Sequence, residues 1–402
     1  MDIDVLIAGG GPGGLASAES AARAGCTVQL VEQNKEIGSP LRTTGGSFIE
    51  ELKELGIPEK FLHPIHRCRF LSPNNEAAWD YKTAVACVMD VKSVYQFLAC
   101  RAIDAGAQIK LGVQATAPVI EDGFVRGLQL RDFTGKEWTQ RSKVVIDASG
   151  YRASLMKQAG VHQGSRRFGV GAEYDLYAPH YDETEAVLIV GSKVAPSGYA
   201  WFFPWGNHRV RAGVGIIHPD SHDSADRYLD DLIRNGDQFG VNLKGAQPVE
   251  YHFGMMPSDG MNDPIAGDGI LGVGDAAGQP SALVGEGIRW CIEAGMMAGR
   301  VAAQAVREGD VSKASLSRYE RQWNAKHSRN LRIAHEINKR ISFWDDDKWD
   351  RRTELLKMFT PDQFAEALKT NLTGAWAAKL VWSNPRLLKE GVKKLAELAM
   401  GV

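Results

Sequence analysis

Glycines at 9, 11 and 14 and an acid at 32 are the residues of this chain best spaced to hold a nucleotide. The run Ile3-Asp4-Val5-Leu6-Ile7-Ala8 feeds a G-x-G-x-x-G turn. A second apolar run, Thr27-Val28-Gln29-Leu30-Val31, ends at Glu32. In a strand–turn–helix unit of this kind Gly9 permits the tight turn, and Gly11 lets the backbone approach a pyrophosphate. Gly14 lets the helix pack on the strand, and Gly13 lies in the same turn. The helix start offers free N–H groups and a positive dipole end to phosphate. Glu32 stands where an acid accepts ribose hydroxyls. The motif by itself admits FAD or NAD.

Two further segments carry the same kind of chemistry. Val144-Val145-Ile146-Asp147-Ala148-Ser149-Gly150 is a strand running into a turn. Ile270-Leu271-Gly272-Val273-Gly274-Asp275-Ala276-Ala277-Gly278 is another, followed by Gly285-Glu286-Gly287-Ile288 at the head of a long helix. A carboxylate such as Asp275 can take a ribityl or ribose hydroxyl, and the following helix start can face a pyrophosphate or a flavin edge. Gly-Asp-Ala-Ala alone is equally an ordinary strand-to-helix turn. In Pro196-Ser197-Gly198-Tyr199-Ala200-Trp201-Phe202-Phe203-Pro204, strand alternation puts Tyr199, Trp201 and Phe203 on one face. That face is either core or the wall of a site for a long apolar substrate. His63, His66, His162, His208, His218, His222 and His252 have no metal-ligand spacing with acids or cysteines, so no metal is expected.

The elements that must position these residues follow from periodicity. A β-α-β unit spans 2–32, and helices are expected at Ser47–Leu55, Asp90–Ala105, Ser224–Arg234 and Val284–Arg307. Two strands flank the turn at Pro73-Asn74-Asn75, and Asp122-Gly123 is a hairpin turn. The chain is strand-rich from Phe168 to Met256 and helical after Lys313. At 402 residues it can bury a large core in interleaved domains. A net charge of −2 argues against a nucleic-acid partner. Five scattered cysteines fit reduced thiols, and the first strand begins almost at residue 1, so a cytoplasmic protein is expected. No apolar run nears the ~20 residues of a membrane span.

The order of these motifs resembles the FAD-dependent superfamily with the para-hydroxybenzoate hydroxylase fold. The Pro196–Pro204 segment, as P-x-x-Y-x-W-x-F-P, together with Gly285-Glu286-Gly287-Ile288, is similar to the geranylgeranyl reductase family. The resemblance implies an α/β plus α+β fold. A Rossmann-like FAD-binding domain (1–66, 86–165 and 263–310) is interleaved with an antiparallel β-sheet substrate domain (67–85 and 166–262), ahead of a helical C-terminal region (311–402). It implies that Gly9, Gly11, Gly13, Gly14 and Glu32 hold the ADP half of FAD, with Ala115 bordering the adenine and Arg101 at the cofactor. Asp275, Gly287 and Ile288 would hold the flavin half, with Arg42, Thr43, Thr44 and Gly46 in a loop against the ring. Arg101 is otherwise a solvated helix residue.

The implied activity is reduction of C=C bonds in an isoprenoid or other hydrophobic substrate, beside Tyr199, Trp201, Phe203 and Thr43. The electron donor is NAD(P)H or ferredoxin, undetermined, as is the oligomeric state. Thr43 stands where archaeal members carry a cysteine, and a threonine cannot supply a low-pKa thiol. The alternative is a flavin monooxygenase or halogenase, for which Lys82 would be the candidate lysine or else a solvated hairpin residue. A flavin carrier without turnover is a third class. Trp376–Leu398 is either an amphipathic surface for peripheral membrane contact or a helical cap.

Overall fold

Strand Ile3–Ala8 is hydrogen-bonded on both edges, in parallel, to Glu137–Asp147 and to Val28–Glu32. A strand paired on both sides and covered on both faces needs an unbroken apolar run, and Val5, Leu6, Ile7 and Ala8 are all buried. The computed structural model describes residues 3–383. Among these, the parallel strands extend to Gln108–Leu111 at one end and Ile270–Gly272 at the other, where the short strand Ala266–Gly267 adds an antiparallel edge. Three of its parallel strands therefore end on one edge in glycine-containing turns, at Gly9, Ala148–Gly150 and Gly274. Such a carboxyl-end edge is where open α/β sheets bind ligands.

Helix Pro12–Arg23 leaves this edge and packs on helix Ile288–Glu308 at backbone contact. A Cβ on Gly295 would lie 2.2 Å from the Gly13 carbonyl oxygen, and one on Gly299 2.5 Å from that of Ser17. Those small residues set how close the two helices come, and so where the Gly9–Gly13 turn sits relative to Ile288.

A second sheet runs in the order Gln247–Pro257, Phe168–Tyr177, Arg209–His218, Ala195–Gly206, Glu185–Gly191, Arg67–Leu71, Glu76–Asp80. It is antiparallel except that Glu185–Gly191 pairs in parallel with Arg67–Leu71. The chain traverses the first sheet between these two strands, and only such a long connection permits a parallel neighbour.

Some boundaries differ from the sequence expectation. Gly46–Phe48 is a strand, paired with Ala86–Met89, which also pairs Leu62–Ile65 in a small third sheet. The helix that follows is shortened to Ile49–Glu54. The long helix begins at Ile288, not Val284, because Gly285 takes φ +66° and the turn closes by a Ser281–Glu286 bridge.

Helices Lys313–Ile341, Asp346–Leu356, Pro361–Leu368 and Gly374–Ser383 close over the outer strands. The Trp79 ring stacks on Phe364 at 3.6 Å, and its Nε1–H donates to the Phe359 carbonyl. Trp376, Ala377 and Leu380 are buried against Ile333, Ala334 and Leu372, so the described part of the Trp376–Leu398 segment is a cap. Leu387, Leu388, Val392, Leu395 and the lysines among them lie outside the described residues. No described helix is long and apolar enough to cross a membrane.

Gly299→Leu should force the two helices apart and cost about 1–3 kcal/mol. Thermal unfolding of the purified protein checks this, and a melting temperature within a degree of wild type would contradict it.

Candidate active site

One cavity of about 1420 Å³ runs from the carboxyl edge of the first sheet, under the Gly38–Gly46 loop, to the face of the second sheet. It exceeds the roughly 300–1,000 Å³ of a site for a single small molecule, leaving room for a dinucleotide and a second ligand. Gly9, Gly11, Gly13, Glu32 and Ala115 line one end. Arg42, Thr43, Thr44, Gly46, Asp275, Gly287 and Ile288 line the middle, and Tyr199, Trp201 and Phe203 line the far wall.

At the first end no side chain caps helix Pro12–Arg23, whose N-cap is Gly11. Its first N–H groups therefore have neither an intrahelical nor a side-chain partner, and a Cβ at Gly11 would meet only open space. Gly9 has φ +112° and abuts the Ala148 carbonyl. Gly14 does not line the cavity: a Cβ there would come within 2.0 Å of the Gly9 carbonyl oxygen, so its work is packing helix on strand. Glu32 accepts the Gly10 N–H at 2.7 Å through Oε2 and both Asn34 N–H groups through Oε1. Oε2 keeps a lone pair for a ribose hydroxyl. Asp147 faces inward, pinning its turn through the Ser149 N–H and hydroxyl and the Met156 N–H.

Arg101 is not brought to the cavity. Its guanidinium pairs with Glu19 at 2.8 Å and donates to the Leu55 carbonyl, so it ties two helix ends together. Lys82 is exposed and does not line the cavity.

In the middle, burial alone raises the Asp275 carboxyl from its ordinary value of 3.8 to about 7. A hydroxyl donated by a bound ligand is the partner such a carboxylate needs. Ser47, expected on a helix, instead donates from its strand to Glu286, which also pairs with Arg289 at 2.7 Å. That triad braces the Gly285–Gly287 turn.

The aromatic strand touches each loop around it. The Tyr199 hydroxyl donates to the Val284 carbonyl at 2.6 Å. The Trp201 Nε1–H donates to Glu173 at 2.8 Å, and the Phe203 ring lies 3.0 Å from where a Gly46 Cβ would be. The three rings are neighbours at 5.5 and 6.5 Å.

The uncapped helix start, the spare acceptor on Glu32 and the cavity-facing Asp275 together fit the diphosphate, ribose and ribityl parts of FAD. A family model described as FAD dependent oxidoreductase matches residues 4–173, and one described as geranylgeranyl reductase catalytic domain matches residues 169–255. The digeranylgeranylglycerophospholipid reductase of Methanocaldococcus jannaschii is 32% identical over 398 residues, covering 96% of each chain. The chain belongs to the geranylgeranyl reductase family. It is an FAD-dependent oxidoreductase. A second family member, the digeranylgeranylglycerophospholipid reductase of Methanosarcina acetivorans, is 30% identical over 98% of each chain. A geranylgeranyl bacteriochlorophyll reductase-like protein from Thermoplasma acidophilum superposes with a TM-score of 0.86 at 26% identity, over 98% of this chain and 99% of that one. A flavin-dependent brominase superposes at 0.71 and 19% identity, over 92% and 93%, a likeness of fold alone.

Sequence reasoning missed the cavity-lining Glu173 and the buried Arg211 and Asp175, and named His252, which also lines the cavity, only as a histidine without metal-ligand spacing. The available signal was alternation. Acids at 173 and 175 share a face of an apolar strand, and arginines at 209 and 211 do the same on another.

The Asp275 carboxyl is protonated at low pH whether folded or not, so it costs nothing there. Its cost grows as pH rises from about 4 and is complete above about 7, the raised folded value. Asp275→Asn should therefore stabilise the apoprotein by roughly 1–3 kcal/mol at pH 8 and by less at pH 5. The same variant should lose FAD at least tenfold more readily. A stabilisation equal at both pH values would contradict this origin.

Proposed function

We propose that this enzyme reduces C=C bonds of a long isoprenoid chain carried on a lipid. The observation that supports this most is the apolar far half of the cavity. Beyond the Gly38–Gly46 loop it is lined by Tyr199, Trp201, Phe203, Leu188, Val190 and Phe359, a wall suited to an unfunctionalised chain. The names of the archaeal relatives point the same way. Bound FAD, once reduced, supplies hydride to one alkene carbon.

The chain's own residues do the rest. Tyr199, held by Val284, and Phe203, held against Gly46, keep the alkene against the loops that line the flavin end and exclude water from it. Their ring faces attract positive charge developing on the alkene by roughly 0.5–2 kcal/mol per ring. The reducing equivalents come from outside the chain, from a nicotinamide or a ferredoxin-type donor, since no second glycine motif is present.

Anaerobic incubation of dithionite-reduced enzyme with a geranylgeranyl glycerolipid tests the reading without the natural donor. Mass spectrometry should show two hydrogens added per reduced double bond. Oxygen-dependent hydroxylation or halogenation of an aromatic compound, with no alkene reduced, would overturn it.

A further inference from the structure

One row across the second sheet joins a buried carboxylate to a buried imidazole, beside a charged row of Glu250, Asp175, Arg211 and Phe203 on the same face. His252, Glu173, Gly213 and Trp201 stand side by side, in register, on four neighbouring strands. The Trp201 indole lies across Gly213, where a Cβ would come within 2.3 Å of the ring. Reaching over that glycine, its Nε1–H donates to Glu173 Oε2 at 2.8 Å, and the Thr44 hydroxyl donates to the same oxygen. His252 Nδ1 lies 2.8 Å from Glu173 Oε1.

Glu173 is 3% exposed and His252 2%, yet both line the cavity. The other imidazole nitrogen, Nε2, has no hydrogen-bond partner. Glu250 Oε2 lies 3.4 Å from it, an ion-pair distance without hydrogen-bond geometry, on a side chain that is 50% exposed. The arrangement is therefore open to solvent at Glu250 and to the cavity at Glu173, with His252 between.

We infer that Glu250, His252 and Glu173 form the proton path of the site, and that Glu173 delivers the proton of alkene reduction. This rests on the alkene-reductase reading. The balance is simple: one carbon of the double bond takes hydride from reduced FAD, and the other takes the proton held by the Glu173–His252 pair. The π bond is lost, two C–H bonds form, and the flavin is oxidised. His252 then recovers a proton from solvent by way of Glu250. Thr43 offers no acidic thiol for this step, and Thr44 and Trp201 only hold the carboxylate in place.

The surrounding charges are compatible with a proton stored here. Burial pulls the His252 pKa down, but the hydrogen bond and negative charge of Glu173 outweigh it, leaving the imidazole raised above 6.5 despite Arg211. Arg211 is turned toward the Thr44 and Met89 carbonyls, and its Nε lies 3.6 Å from Asp175. Asp175 also pairs with Arg209, and the half-buried Tyr199 donates its hydroxyl to Val284.

A purely structural role, holding the indole, predicts that Glu173→Gln is tolerated, because the amide still accepts from Trp201 and Thr44. The proton role predicts the reverse. Nitrogen-15 NMR of histidine in the apoprotein should show His252 titrating above 6.5, and in Glu173→Gln below it. Single-turnover reduction of a prenyl lipid should fall about 100-fold or more in Glu173→Gln, the usual share of a general acid. Reoxidation of its flavin by ferricyanide, which needs no proton on carbon, should stay within about twofold of wild type.

An unmoved His252 titration, or prenyl reduction at the wild-type rate and pH profile, overturns the path. Wild-type enzyme that reduces no prenyl lipid would defeat the reductase reading instead. The titration would then decide alone, a coupled His252 supporting the pair as a proton store and an independent one refuting it.

Discussion

The site depends on the polar tips of two aromatic side chains, the buried Trp201 and the half-buried Tyr199. A Tyr hydroxyl or Trp N–H taken out of water must find an acceptor, or the fold loses about 1–3 kcal/mol for each. On strand Ala195–Gly206 those acceptors are the Val284 carbonyl and Glu173. The first fixes the turn that leads into helix Ile288–Glu308. The second fixes the carboxylate that also holds Thr44. A strand that could have been ordinary core thereby ties the Gly38–Gly46 loop and the turn before helix Ile288–Glu308 to the second sheet.

The same constraint explains how two sheets of different character share one cavity. The first sheet presents backbone: glycine turns, an uncapped helix start and the carboxylates of Glu32 and Asp275, suited to phosphate and hydroxyl groups. The second presents side-chain faces. Between them lies the Gly38–Gly46 loop, pressed close on both neighbours. A Cβ on Gly254 would sit 2.1 Å from the Arg42 carbonyl oxygen, and Gly46 lies under the Phe203 ring. The loop thus has little freedom except to follow the surface of the second sheet.

Much of this was legible in the sequence because its signals are local. Gly9 to Gly14, Glu32, Asp275 and the alternation Tyr199–Trp201–Phe203 each lie within one strand–turn–helix unit or one strand, where spacing fixes geometry. What was not legible depends on pairing between distant segments. Glu173 and His252 are 79 residues apart and meet only through sheet register. Ser47 reaches Glu286 across 239 residues. Arg101 looked suited to a cofactor, yet the buried Glu19 on a neighbouring helix takes its charge. Gly213 gave no sign of its use, since only the indole lying over it explains why a side chain is absent there.

If the glycine edge of the first sheet and the aromatic face of the second enclose one flavin, denaturing the chain must release it. Mass spectrometry of the small molecules released by denaturing the purified chain tests this most directly. The expected release is FAD, at one per chain in fully loaded protein. Release of NAD instead, or failure of the refolded apoprotein to take up FAD while binding another nucleotide, would contradict it.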